Sequence, residues 1–313
     1  MSRALIIKLG YRRELPTMVS RDVSLASVVR STVILNLFRE DEVVWLTSAP
    51  ALPLVSGVRN VKKVLVYDSH VSLALSYEAF DVVVNLEPSW EFCALAESVN
   101  ARLRFGFALD DSAEKVVPLP GAERALALEL FPQARRRESR PFQQVLYELM
   151  GKDWQGERCL LGYQPTTREE YDLGFNMSVG KSSENKAWPL DHWRKLEELL
   201  FGRYSISYEQ RTRNLEGYID WLNSCRTVVT ADTLALYLAL ALGKKVVGLF
   251  GPTSAACCHT YGRGIKLAPP VKLNCIPCCE NECRFVRSCV HTISPRQVAD
   301  AVEVLTHADV LEN

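Results

Sequence analysis

The sequence predicts an α/β protein with two doubly wound parallel sheets, and three observations carry that prediction. Short β-branched runs alternate with helical stretches in the first half. A second such series starts near Tyr171, and Val228 to Ser254 reads as strand, tight turn, helix, strand, loop. Strand alternating with helix implies right-handed crossovers between parallel neighbours.

In the first series, strands are expected at 5–9 (LIIKL), 42–48 (EVVWLTS), 63–68 (KVLVYD) and 81–87 (DVVVNLE). Between the first two, Leu25, Val28, Val29, Thr32 and Leu35 recur at helical spacing, with Arg30 interrupting an otherwise apolar helix. The stretch 118–141 is rich in Pro, Ala and charge, and Arg135, Arg136, Arg137 and Arg140 form a basic run. This reads as a solvated face, with contact to an anionic acceptor or a membrane surface as the other reading. The second series has strands at 174–179, 203–208, 227–231 and 245–251 and a helix over 190–200. Near the end, Ser294, Pro295 and Gln297 supply an N-cap, a first-turn proline and the far half of a capping box. Val298, Val302 and Leu305 then give that terminal helix one apolar stripe. Two sheets imply two domains, placed at 1–163 and 164–313.

A chain of 313 residues that is 48% hydrophobic and 24% charged is neither disordered nor fibrous. Its 37 Lys and Arg balance 37 Asp and Glu, so no overall field draws it to nucleic acid or to an anionic membrane. Apolar runs such as 234–242 fall far short of the roughly 20 residues a membrane span needs, leaving at most peripheral membrane contact. Lys8 and Gly10 follow the first apolar run at once, with no leader-like segment, and the cytoplasm is the expected compartment. Neutral charge leaves homo- or hetero-oligomers open.

The strongest local signal lies between Val228 and Ser254. Asp232 or Thr233 is placed to cap a helix beginning at Leu234, whose first amides lack internal partners and face the carboxyl edge of the sheet. Open α/β sheets bind ligands at that edge, and the helix dipole favours phosphate there. The turn Gly251 to Ser254, with Thr253, follows the next strand at the same edge. Lys186, after the 174–179 strand, also projects there, so an ammonium and a helix N-terminus converge on one anion. Such preorganised donors stabilise charge on a leaving diphosphate.

KLG at the start, SLASVVRSTVIL, NKAWPLDHW, VVTADTLALYLALALGKKVVGLFGPTS, YGRG and a cysteine-rich tail together resemble glycosyltransferase family 9, the ADP-heptose:lipopolysaccharide heptosyltransferases and their relatives. The resemblance runs along nearly the whole chain and is most specific in its C-terminal half. It implies a GT-B fold, two Rossmann-like domains facing a cleft. A nucleotide diphospho-sugar donor, such as ADP-heptose, belongs on the C-terminal domain and a glycan or glycolipid acceptor on the N-terminal one. The resemblance also implies that transfer is inverting and metal-independent. By position, Lys186 matches the lysine that meets the donor phosphates, and Asp232 and Thr233 match the start of the donor-binding helix.

Three positions depart from the family pattern: Ser27 stands where the probable general base is an aspartate, Tyr237 where a histidine is usual, and Cys257 near the place of a glutamate. A serine hydroxyl cannot take a proton at neutral pH, although losing a general base costs only about 10²- to 10⁴-fold. Asp22, in what reads as a long loop, or Glu87, at a strand end, could supply the carboxylate instead. The alternative is a catalytically impaired homologue that binds a nucleotide or a partner chain.

Five of ten cysteines fall within 275–289. Cys275, Cys278, Cys283 and Cys289 have the short spacings that let four thiolates surround one tetrahedral ion, zinc or iron, in a structural site. Reduced thiols or local disulfides are the other reading. Cys93, Cys159 and Cys225 read as core residues.

Overall fold

The computed structural model describes residues 2–15, 18–209, 214–271 and 273–311, and the side chains of these except at 12–15, 18–22, 181–182 and 308–311. The chain forms two compact units, Met1–Phe131 with Phe142–Gln164, and Pro132–Pro141 with Pro165–Asn313.

In the first unit, β1 (Arg3–Ile7) leads into a hairpin of β2 (Tyr11–Leu15) and β3 (Met18–Val23), then α1 (Leu25–Ser31). There follow β4 (Glu42–Thr47), α2 (Leu52–Val55), β5 (Val61–Val66), α3 (Ser69–Ser76), β6 (Ala79–Asn85), α4 (Trp90–Ser98), β7 (Asn100–Leu109), β8 (Val116–Pro118) and α5 (Glu123–Leu130). A short helix α6 (Pro132–Arg137) is counted with the second unit, and α7 (Phe142–Leu149) returns to the first. The sheet order is β5-β4-β1-β6-β7-β8, parallel except for the β7–β8 pair. Leu5, Ile7, Val44, Leu46, Val83 and Phe92 are buried together on one side of it.

Two sequence expectations need correction in this unit. The stretch around Asp22 is a strand of an antiparallel hairpin rather than a long loop, with Tyr11 opposite Val23. The hairpin is closed at its base by the Ser24 amide donating to the Gly10 carbonyl at 2.6 Å. Gly10 has φ +80°, and a Cβ there would meet the Ser24 carbonyl oxygen and Val28 at 2.8 Å, so the close approach needs glycine. The helix of α1 is also shorter than its apolar spacing suggests and continues as a 3₁₀ stretch over Thr32–Phe38. Arg30, the apparent interruption, lays its guanidinium 4.5 Å from the centre of the Phe142 ring of α7.

The second unit contains β9 (Tyr171–Asn176), α8 (Leu190–Leu200), β10 (Ile206–Tyr208), α9 (Leu215–Ser224), β11 (Cys225–Ala231), α10 (Leu234–Ala241), β12 (Lys245–Leu249), β13 (Gly264–Leu267) and α11 (Pro295–Leu311). Its sheet is wholly parallel in the order β10-β9-β11-β12-β13. β9 starts earlier than its apolar run because Tyr171 already pairs with Cys225, and it ends at Asn176. The amphipathic α8 buries Trp193, Leu196 and Leu200 against the sheet. The capping box of α11 is formed: the Ser294 amide donates to Gln297 Oε1 at 2.9 Å, and the Gln297 amide donates to Ser294 Oγ at 3.3 Å. Behind it Val298, Val302 and Leu305 enter the same core. Cys93, Cys159 and Cys225 are buried, as their apolar contexts suggest. Among the described residues, no helix is long and apolar enough to cross a membrane.

Candidate functional site

In a parallel sheet all strands end at one edge, and in the second unit this brings together the ends of β9, β11 and β12. Thr230 pairs with Asn176 on one side and with Gly248 on the other. The chain then leaves β11 through Asp232, whose amide donates to the Leu249 carbonyl at 3.2 Å. Thr233 occupies the N-cap position of α10 with extended backbone, φ −132° and ψ −176°, but makes no side-chain cap. A hydroxyl at an N-cap ordinarily accepts from an early helix amide. Here it turns inward, 3.2 Å from Thr230 Oγ1 and 3.3 Å from the Asn176 side-chain amide. Leu234 is the first residue of α10, and the sides of the helix bearing Ala235, Leu236, Leu238, Ala239 and Leu240 are buried. The helix start is thus firmly seated without a side-chain cap.

Lys186 reaches this point from the connection between β9 and α8. Its Nζ donates to the Asp232 carbonyl at 2.9 Å and lies 3.2 Å from Asp232 Oδ2. The Tyr237 hydroxyl, one turn into α10, donates to Asp232 Oδ1 at 2.6 Å. The Asp232 side chain is 9% exposed and that of Lys186 18%. One carboxylate therefore holds an ammonium and a phenol at the mouth of α10. Its negative charge is offset, and the ammonium is fixed within reach of that helix's N-terminus.

Beneath lies a polar network that sequence reasoning missed. The Tyr218 hydroxyl of α9 donates to Asn176 Oδ1 at 2.8 Å, and Asn176 Nδ2 donates to Thr230 Oγ1 at 2.8 Å. Burial, with the Glu209 charge added, pushes the Tyr218 hydroxyl well above the ordinary tyrosine value, so it stays a donor. The only hint in the sequence is an asparagine ending an apolar strand. Its partners are 42 and 54 residues away.

The remaining candidates are more dispersed. Thr253 sits in the turn after β12 with its Oγ1 buried and without a hydrogen-bond partner. Cys257 donates its thiol to the Glu138 carbonyl at 3.2 Å, and Ser254 reaches the same oxygen at 3.4 Å. In the first unit, Ser27 donates its hydroxyl to the Ser24 carbonyl at 2.8 Å, within the first turn of α1. Glu87 is buried, its Oε1 accepting from the amides of Leu9 and Gly10 at 2.8 and 2.7 Å and lying 3.2 Å from Lys8 Nζ. The pair is 5% and 3% exposed, so this carboxylate braces the Lys8–Gly10 turn. Asp22 falls in β3, and its side chain lies outside the described residues.

Cys275, Cys278, Cys283 and Cys289 carry free thiols in a stretch of turns. Among the described residues no group of three or more His, Cys, Asp or Glu side chains is gathered as a metal ion requires. As placed, the thiols do not fit the expected four-thiolate site. They do share one neighbourhood: burial first, then the charges of Cys278, Cys283 and Cys275, push the Cys289 thiol up to about 11. The loop is fastened to the turn after β12, the Cys279 amide donating to the Pro252 carbonyl at 2.8 Å. It is fastened also beside Lys186, Asn185 Nδ2 donating to the Glu280 carbonyl at 2.8 Å.

Residues 212–288 match the sequence model of glycosyltransferase family 9 (heptosyltransferase). No curated protein matches the chain. Among solved structures, the Escherichia coli heptosyltransferase WaaC with ADP-2-deoxy-2-fluoro heptose superposes with a TM-score of 0.62 at 16% identity, covering 96% of this chain and 99% of that one. A glycosyltransferase family 9 protein from Veillonella parvula gives a TM-score of 0.67 at 14% identity, covering 100% and 98%. The iron-containing dodecameric glycosyltransferase TibC of enterotoxigenic E. coli gives 0.56 at 10% identity, covering 98% of this chain and 76% of that one. The two parallel sheets are those of the GT-B fold. The family signature thus lies across α9, β11, α10 and β12, and the chain has the GT-B fold of the solved heptosyltransferases.

Proposed function

We propose that this protein is a glycosyltransferase that moves a sugar from a nucleotide diphospho-sugar to a glycan or glycolipid acceptor with inversion. Its first candidate donor is ADP-heptose and its first candidate acceptor a lipopolysaccharide precursor. In this reading the second unit binds the donor and the first unit the acceptor, and the reaction runs in the cytoplasm. The observation that carries it is the junction at Asp232, where the Lys186 ammonium is held beside an N-terminus of α10 that lacks a side-chain cap. The first amides of α10 and the ammonium supply the positive charge that a departing diphosphate needs, the part a divalent cation would otherwise play. Thr253, with an unpartnered buried hydroxyl, supplies one further donor at the same sheet edge. Solved relatives carrying ADP-heptose, its fluoro analogue or ADP support the choice of donor.

Inversion also needs a base for the acceptor hydroxyl. The Ser27 hydroxyl is spent on the Ser24 carbonyl and Glu87 is buried against Lys8. Asp22, close to the base of the hairpin that opens beside Gly10, is then the carboxylate of choice. The experiment is donor turnover with purified protein and ADP-heptose, with Lys186→Ala and Asp22→Asn beside the wild type. Lys186→Ala should lose ADP affinity, whereas Asp22→Asn should bind ADP and fail to transfer.

The second reading is a nucleotide- or partner-binding homologue without turnover. It is favoured by Tyr237 and Cys257, whose polar atoms are engaged within the protein. ADP binding without transfer or donor hydrolysis would decide for it. For the cysteine loop, the support for zinc or iron in a structural role is the iron-containing glycosyltransferase of similar fold, and the thiols would have to draw together from where they stand to hold it. Elemental analysis of protein purified under reducing conditions without chelator tests it.

A further inference from the structure

Strand β11 is buried at its end, so the hydroxyl of Thr230, which is fully buried next to β9, has to be satisfied within the protein. It has one proton, and that proton goes to the Ala231 carbonyl at 3.0 Å. Its oxygen is therefore an acceptor for both neighbours, the Asn176 side-chain amide at 2.8 Å and the Thr233 hydroxyl at 3.2 Å. The Thr233 hydroxyl thus donates inward, and its own oxygen receives Asn176 Nδ2 at 3.3 Å.

This arrangement depends on which way Asn176 faces. The Ser178 carbonyl, 3.3 Å from Nδ2, can only accept, which puts the amide nitrogen on the side of the threonines and Oδ1 toward Tyr218. The Tyr218 hydroxyl donates to that Oδ1 at 2.8 Å. Its ring is stacked on Trp221, with centroids 5.8 Å and planes 20° apart, and the Trp221 indole N–H donates to Ser207 Oγ of β10 at 3.1 Å. A chain of contacts from β10 through α9 therefore fixes the buried Asn176 in one orientation.

The consequence appears at the start of α10. A threonine at an N-cap competes with any anion for the same amides, because its oxygen accepts from the second or third of them, here Ala235 or Leu236. Thr233 makes no such cap. We propose that Tyr218 and Asn176 are positioning residues for the donor diphosphate: with Thr230 they hold the Thr233 hydroxyl inward and keep the first amides of α10 open to a phosphate oxygen. The proposal rests on the donor reading of this sheet edge. Both residues act through Thr233 rather than on the donor. An N-cap hydroxyl is worth about five-fold in the balance between a capped and an open helix start, so releasing it sets a competitor of that strength against the ligand.

The test titrates ADP by calorimetry into the full chain in four forms: wild type, Tyr218→Phe, Thr233→Val and the double variant. Tyr218→Phe frees Asn176 to turn and Thr233 to cap, and should weaken ADP binding about five-fold. Valine has the shape of threonine without an oxygen to cap with, so in the Thr233→Val background Tyr218→Phe should cost nothing further. A loss caused merely by a loosened α9 would be the same in both backgrounds. A crystal structure of Tyr218→Phe should show Thr233 Oγ1 accepting from the Ala235 or Leu236 amide. Should Tyr218→Phe fail to fold, Asn176→Leu removes the bonds to both threonines and carries the same expectations. ADP binding that Tyr218→Phe leaves unchanged, an equal loss with and without the Thr233 hydroxyl, or a Thr233 hydroxyl still turned inward in the variant would overturn this proposal and leave the donor reading standing. A wild type that does not bind ADP would overturn both.

Discussion

At Asp232 one carboxylate takes two donors, Lys186 Nζ at Oδ2 and the Tyr237 hydroxyl at Oδ1. An arriving diphosphate would meet an unscreened negative charge there if the ammonium were missing. Hydrogen bonds to charged groups contribute roughly 1.5–3 kcal/mol, so Lys186→Ala should weaken ADP binding by about 10- to 100-fold in calorimetry. Tyr237→Phe removes one donor to Asp232 and leaves the ammonium in place. Its effect on ADP affinity should stay within about ten-fold, and a loss as large as that of Lys186→Ala would assign the phenol a direct part in binding. At this scale the meeting of Lys186 and Asp232 at the start of α10 was legible because each stands next to a recognisable element boundary. Asn176 and Tyr218 were not, since what makes them matter is a contact between distant strands and helices. The inward turn of the Thr233 hydroxyl was equally hidden, because an N-cap threonine looks the same in sequence whether or not it caps.

Elements show where buried charge and local capping carry the fold. The Lys8–Glu87 pair joins the end of β1 to the segment after β6, almost without solvent. Removing one partner of a buried pair leaves the other uncompensated, so Glu87→Ala should destabilise the first unit by about 3–5 kcal/mol in urea unfolding. A loss of activity with unchanged stability would instead return Glu87 to the list of bases. Ser294→Ala breaks the capping box of α11 and should cost about 1 kcal/mol in the same assay. The helix α11 was readable because amphipathic spacing and cap chemistry coincide there, and α8 from its amphipathic spacing without a side-chain cap. By contrast, β7 was missed: NARLRFGFAL carries Arg102 and Arg104 amid its apolar residues and has an exposed first half. The hairpin β2–β3 was missed because a charged stretch of that length looks like a loop until its two halves pair.

Across the whole molecule, two strand-helix series foretold two main sheets. Stability against acid is a property of the same scale. Burial, then the Lys266 charge, lowers the His259 pKa, and burial, then His192 and Arg287, lowers that of His291. The unfolded chain takes up those protons near the ordinary histidine value of 6.5, above the folded value. Their contribution is therefore complete above pH 6.5 and lost as pH falls from there toward the depressed values. Urea midpoints should fall over that window, and His291→Gln should flatten the decline. An unchanged slope in the variant would show that other groups govern it.

The ten residues Pro132–Pro141 belong with the second unit although both flanking stretches belong with the first. During synthesis this segment leaves the ribosome before the rest of its own unit exists. Glu138 must wait for Ser254 and Cys257, made more than a hundred residues later. The first unit can finish folding once residues up to 164 have emerged, while the second is completed only when late chain returns to an early strip held in reserve. Translation order and folding order thus part company at α6, and a gene cut at residue 164 would deliver a second half without that strip.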